Sequence, residues 1–272
     1  MKRVSAMAVA AAILALVLAA GCARHDVLTN RLRDMPDDYA RRILSDSIWA
    51  CGDTYRWAAP KTLRLEVARI DHSPGAESRI DEVWLLDLAG GRVRIEKTAV
   101  RQVTLYDGFS WRVFIQGKRV EDLESRGQAA GDVAIVRGLA TLPFSLLDPN
   151  LKVIYAGTRT GLGEARAWDR LLVTCQAGSG FEPGDRIVVE INKKSRRVDA
   201  AFITWSEVPF LGGCYRVEMD EWRTTADLAL ASRLRLVPVD DKGAAAGPVR
   251  WTFEVRSATF DAPVGLTTFS QP

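Results

Sequence analysis

Arg186-Ile187-Val188-Val189-Glu190-Ile191 and Val249-Arg250-Trp251-Thr252-Phe253-Glu254-Val255 set the fold class. In both stretches apolar side chains recur at every second position, the period at which a β-strand turns successive side chains to opposite faces. Leu63-Arg64-Leu65-Glu66-Val67 and Arg92-Val93-Arg94-Ile95-Glu96 repeat the pattern. Between such runs stand Ala89-Gly90-Gly91, Asp107-Gly108, Gln116-Gly117-Lys118, Pro183-Gly184-Asp185, Asn192-Lys193-Lys194-Ser195 and Asp241-Lys242-Gly243. These residues tolerate positive φ or bond to their own backbone, so each is a hairpin connection. A meander of about ten half-buried strands follows, and it predicts a single curved antiparallel sheet with one apolar face.

Two segments break this period. Asp34-Met35-Pro36-Asp37-Asp38 places proline and acids where a helix begins. Tyr39, Ala40, Ile43, Leu44, Ser47, Ile48 and Cys51 then form one apolar stripe, and Gly52 ends it. The second segment, 125–149, carries Ala129, Val133, Val136, Ala140, Phe144 and Leu147 at helical spacing. Both are expected to cover the apolar face. The fold class is therefore mainly β with helices (α+β), in one domain over 34–265 with a short tail at 266–272.

The apolar parity of the strands nominates Leu65, Trp111, Ile187, Ile191, Tyr215, Val217, Met219, Trp251 and Phe253 as lining of a hydrophobic cavity. The eight tryptophans are read chiefly as strand-centred core residues, the alternatives being a cavity lining or an exposed sugar-stacking platform.

Composition narrows function by exclusion. The 272 residues hold 37 basic and 34 acidic side chains, and removing Lys2 and Arg3 with residues 1–21 leaves 35 against 34. The arginines are scattered singly among acids, so no nucleic-acid partner is expected. Two histidines, His25 and His72, leave little for a histidine-based triad. No Gly-x-Ser-x-Gly, His-Glu-x-x-His or Gly-x-x-x-x-Gly-Lys motif occurs, and Gly161-Leu162-Gly163 lacks a strand-to-helix setting. Asp37-Asp38, Asp220-Glu221 and Asp240-Asp241 are adjacent pairs that point apart on strands or lie in turns. A non-enzyme with no metal and no cofactor is expected. Cys51, Cys175 and Cys214 lack metal-ligand spacing; either Cys175 and Cys214 form one disulfide or all three are buried thiols.

At the N-terminus, Lys2-Arg3, an apolar run from Ala6 to Ala20 and Leu18-Ala19-Ala20-Gly21-Cys22 describe an export signal. The run of about 15 residues is shorter than the roughly 20 that a spanning helix needs. The last five residues resemble the lipobox of bacterial lipoproteins. That resemblance implies a signal peptide over 1–21, acylation of Cys22, a tether over 22–33, and, with Ala23 rather than Asp after the cysteine, the outer membrane on its periplasmic side. The alternative is an ordinary secretory signal cut near Ala20 or Gly21.

The helix ending near Gly52 and Trp57, the meander with Asp107-Gly108-Phe109-Ser110-Trp111, the mid-chain helical insertion and the later strands introduced by Phe181-Glu182-Pro183-Gly184-Asp185 form a recognisable sequence of parts. Over most of residues 35–265 it resembles the LolA/LolB-like superfamily of outer-membrane lipoprotein carriers and receptors. The resemblance implies an unclosed half-barrel with a helical lid and a cavity for acyl chains of lipoproteins or another amphiphile. Val208-Pro209-Phe210-Leu211-Gly212-Gly213 is its candidate for the receptor's protruding loop, the alternative being a hairpin folded onto the core. A second functional reading is an envelope structural or stress-sensing module that binds a protein partner with the same fold. Oligomeric state has no signal in the sequence.

Overall fold

A computed structural model describes residues 24–75, 77–161, 166–177, 179, 181, 183–205, 213–240, 242–265 and 267–272. Cys22, Leu162-Gly163, Glu182, Asp241 and 208–212 lie outside the described residues. Helices come first: α1 over residues 24–33, α2 (Asp38–Ala50) and α3 (Thr54–Ala58). The strands β1 (Thr62–Asp71), β2 (Ser78–Asp87), β3 (Val93–Lys97), β4 (Gln102–Tyr106), β5 (Trp111–Ile115) and β6 (Lys118–Val120) follow as a meander. Helix α4 (Leu123–Val133), a π-helical turn (Ala134–Leu139) and a 3-10 turn (Phe144–Leu147) interrupt it. The meander resumes with β7 (Leu151–Thr160), β8 (Ala167–Cys175), β9 (Arg186–Asn192), β10 (Val198–Trp205), β11 (Gly213–Thr225), β12 (Leu228–Val239) and β13 (Trp251–Phe260).

These strands build one antiparallel sheet in the order β6-β5-β4-β3-β2-β1-β13-β12-β11-β10-β9-β8-β7. The order explains the insertion. β6 and β7 are consecutive in the chain yet form the two opposite edges, so the segment between them has to cross from one edge to the other. Every other consecutive pair of strands is joined by a local connection, and β13 returns to pair with β1. Register shifts at Glu66/Val67 and Tyr155/Thr158 insert extra residues that increase local twist. The sheet curls without closing, a half-barrel.

The curled inner face and the helices share one core cluster. Leu65, Trp84 and Ile95 stand opposite one another across β1, β2 and β3, and Trp84 packs at 5.6 Å on Phe253. Against this face α2 buries Ala40, Ile43, Leu44, Ser47 and Ile48. The crossing segment buries Val133, Ile135, Val136, Leu139, Phe144 and Leu147. Tyr39, the first member of the predicted stripe, instead faces outward and stacks on Tyr155. Asp37 caps α2: one carboxylate oxygen accepts from Ala40 N at 3.0 Å and the other from Tyr155 N at 2.7 Å. Those backbone bonds, the one from Ala40 foremost, hold its pKa below the usual carboxylate value. Gly52 ends the helix at φ +133°, where a Cβ would stand 2.6 Å from Asp227 O.

Two details depart from the sequence-based expectations, and a third decides between two readings. The segment expected as a tether over 22–33 is helical from residue 24, because Leu28 and Leu32, four apart, find the core. The tail expected at 266–272 is tied down as well. Phe269 is buried with Leu85 and Ala262, Arg92 lies over its ring at 4.9 Å, and Arg94 donates to Thr268 O at 3.0 Å. Of the two readings open for the cysteines, free thiols are what the structure has: Cys51 and Cys175 are buried and Cys214 is half-buried. Burial pushes the Cys51 and Cys175 thiols up to about 12. Of the tryptophans, Trp57, Trp84, Trp168 and Trp251 are buried, whereas Trp49 is exposed. No described helix is long and apolar enough to cross a membrane.

Candidate functional site

A cleft of about 840 Å³ opens beside α1, within the range of about 300–1,000 Å³ for small-molecule sites. Its floor is aromatic and aliphatic. Trp57 of α3 stacks on Phe144 with ring centroids 4.5 Å apart, and its edge meets Phe260 at 6.4 Å. Leu86, Leu147 and Phe181 complete the apolar surface. Phe181 points the tip of its ring at Gly138 of the crossing segment, where a Cβ would come within 2.0 Å of its Cζ. Only glycine permits that approach.

The walls carry charge. Arg24, at the start of α1, donates to Pro60 O at 2.5 Å and to Ala58 O at 3.3 Å. Burial lowers its pKa to about 10 against the pull of Asp87 and Asp261, so it stays a cation at neutral pH. Arg137 pairs with Asp148 at 2.6 Å and donates to the Tyr106 hydroxyl at 3.2 Å. At its other end α1 is pinned by Arg31, which donates to Leu151 O at 2.5 Å. The helix therefore bridges from the chain before β1 to the start of β7 and forms one wall with Val27 and Leu28.

None of the nine nominated residues lines this cleft. Leu65, Ile187, Ile191, Val217, Met219, Trp251 and Phe253 are buried in the core cluster, and Trp111 and Tyr215 are half-buried against it. Parity identified the inner face correctly, but α2 and the crossing segment already fill that part of it. The residues that do line the cleft come mostly from α1, α3, the β2–β3 turn and the crossing segment. Phe144 and Leu147 were legible as cover, and the Leu28/Leu32 spacing was the available signal for α1.

A second constellation lies on the inner face, in the closed region. Arg69 of β1, Glu82 of β2, Lys97 of β3 and Asp132 of α4 are all withdrawn from solvent. Asp132 accepts from Lys97 Nζ at 2.5 Å and from Arg69 Nη1 at 2.9 Å. Burial opposes its charge, but Lys97 and Arg69 outweigh burial and hold its pKa low. Glu82 accepts from Trp84 Nε1 at 2.6 Å, while burial, and then the Asp132 charge, push its pKa up. The network clasps α4 to three strands.

Other charged groups are tied up in pairs: the buried Asp169 meets Lys193 at 3.3 Å and Arg196 at 3.7 Å. His72 Nε2 meets Thr252 Oγ1 at 2.9 Å, and Asp220 is occupied by Arg233 and Arg235. Among the described residues no group of three His, Cys, Asp or Glu side chains is placed to hold a metal ion. What the cleft offers chemically is an apolar floor with cationic walls, suited to an amphiphile.

No protein-family model and no curated protein matches this sequence. Solved structures do. A LolA superfamily protein from Nitrosomonas europaea superposes with a TM-score of 0.60 at 14% identity, covering 85% of this chain and 97% of that one. This chain has a LolA-like fold. A DUF1329 family protein from Desulfovibrio piger superposes at TM-score 0.54 and 8% identity, covering 85% and 97% of the two chains. A domain described as an outer-membrane lipoprotein-sorting protein, from Vibrio parahaemolyticus, does so at 0.51 and 8%, covering 84% and 95%. At these identities the likeness is one of architecture, and the LolA-like half-barrel is what the three share with this chain.

Proposed function

We propose that this protein is a non-catalytic lipoprotein of the bacterial envelope, acylated on Cys22 and held on the periplasmic side of the outer membrane. Its LolA-like half-barrel binds an acyl chain, from a lipoprotein or another amphiphile, in the cleft between α1, α3 and the crossing segment. The observation that carries the reading is the cleft itself: about 840 Å³ over a Trp57–Phe144 floor. Burying a methylene contributes about 0.8 kcal/mol, so ten or so carbons supply roughly 8 kcal/mol, a micromolar scale, without a specific polar contact. Cationic walls suit a carboxylate or phosphate at the chain's end. The LolA superfamily and lipoprotein-sorting structures support this reading through a shared fold.

Titration with the fluorescent fatty acid cis-parinaric acid tests it. Wild-type protein should bind the probe, and Leu88→Asp, a half-buried position on the cleft wall, should weaken binding at least tenfold at an unchanged Tm. Absence of binding by the wild type, or equal affinity of the variant, would remove the acyl-chain reading in favour of a partner-binding module. Intact mass and membrane fractionation of Cys22→Ser test the anchor separately: the variant should lose the acyl mass and leave the membrane while remaining folded.

A further inference from the structure

We propose that the mouth of the cleft is held against the bilayer, with Val27, Phe109 and Val264 seated among the headgroups of an anionic leaflet. The proposal rests on the acylation of Cys22 given above. Its physical basis is the shortness of the connection. One residue, Ala23, separates Cys22 from Arg24, and two residue steps of extended chain span at most about 7 Å. Arg24 is itself part of the cleft wall. It is fixed to the carbonyls of Ala58 and Pro60, and the same helix is fixed by Arg31 and by Leu28 and Leu32 in the core. With no slack between anchor and body, the wall that holds Arg24 is the part nearest the acylated residue.

The rim beside that wall is apolar where it has no internal reason to be. Val27 and Val264 border the cleft at 64% and 41% exposure. Phe109, 87% exposed, sits on the β4–β5 turn. That turn adjoins the β2–β3 turn of the cleft wall, since a Cβ on Gly108 would stand 3.8 Å from Gly90 O. Tyr106 ties it to the same wall, donating to Gly108 O at 2.7 Å while its hydroxyl accepts from Arg137. Asp107 accepts from Phe109 N and Ser110 N, which fixes the turn with its phenyl ring outward. Such a ring contributes nothing to packing and fits an apolar partner. Among the charged residues of the cleft wall Arg92 pairs with Asp87 and Arg137 with Asp148, which leaves Arg24 and Lys61 as a cationic surplus, a balance that favours anionic headgroups. A cleft so placed exchanges acyl chains with the leaflet directly.

Depth-dependent quenching on the full-length acylated protein tests the orientation. In a Cys214→Ser background, Phe109→Cys and Val100→Cys each take a bimane label; the high-pKa thiols of Cys51 and Cys175 stay unlabelled at neutral pH. Val100 lies past the other end of β4, five strand residues or about 17 Å away. In vesicles of phosphatidylethanolamine and phosphatidylglycerol containing a nitroxide-labelled lipid, the label at 109 should lose most of its emission and the label at 100 almost none. Equal quenching at both sites, stronger quenching at 100, or none at either overturns the proposal; the last result is also the one expected if the anchor folds back into the cleft. Intact mass reports the acylation on which the proposal stands, and a protein without it takes the proposal down. Loss of parinaric acid binding with quenching at 109 retained would sink the acyl-chain function and leave the orientation standing.

Discussion

Beneath α2 and the crossing segment the inner face of the sheet is closed, whereas beneath α1 the same face runs out into an open cleft. The two regions are built from the same kinds of residue. Val133, Ile135 and Leu139 in the closed region are no more apolar than Trp57, Phe144 and Phe181 around the cleft. They differ in what covers them. The closed region receives Ala40, Ile43, Leu44, Ser47 and Ile48 of α2 and is clasped by Asp132, while the cleft is bordered by α1, which touches the core through Leu28 and Leu32, and by the five-residue α3. The cleft is thus the part of the apolar face that the stripe of α2 does not reach.

Substitutions can break or sharpen this contrast. The largest effect is expected from Met219→Arg. Met219 faces Leu234 across β11 and β12 at 4% exposure, and a guanidinium there has no partner. The cost approaches the whole stability of a domain, about 5–15 kcal/mol, so thermal scans should show no cooperative unfolding. A well-folded variant that merely lost parinaric acid binding would move Met219 from the core to a cavity wall.

Next comes Asp132→Asn. It takes from Lys97 and Arg69 the carboxylate that both contact and leaves Glu82, 3.8 Å from Arg69, as the remaining acid beside them, at a cost of up to about 3–5 kcal/mol. Urea unfolding should show a lower midpoint at unchanged slope. A loss within about 0.5 kcal/mol, as for an ordinary surface substitution, would mean that α4 is held by apolar packing alone.

Glu82→Gln should have the smallest effect and the opposite sign. A carboxyl whose folded pKa is raised favours folding fully below its unfolded value near 4.5 and loses that contribution as pH rises through the folded value. Gln keeps the uncharged form at every pH. The variant should therefore gain stability relative to wild type as pH climbs above about 4.5, then hold a constant margin. A margin that shrank with rising pH would show that Lys97 and Arg69 stabilise the Glu82 charge more than burial penalises it.

Much of the closed region could be read from the chain. The α2 stripe, the apolar positions of 125–149 and the hairpin turns fall where expected, since each depends on neighbours within a few residues. The cleft could not be read in this way. Arg24, Trp57, Phe144 and Phe181 reach it from four separate places in the sequence, and no local period connects them. Seven of the nine parity-chosen residues went to the core, and Trp111 and Tyr215 to its edge, for the same reason: alternation tells which face of a strand is apolar and is silent about what lies across from it.

By itself the sequence determined the strands, their turns, the greasy side of the sheet and the two segments available to cover it, because all of these follow from the 2.0 and 3.6 periods of the backbone. Only the tertiary structure decided where the cover stops. The two edges β6 and β7, the reach of the segment that crosses between them and the docking of α1 set that limit. Each is a balance between surfaces brought together from distant parts of the chain.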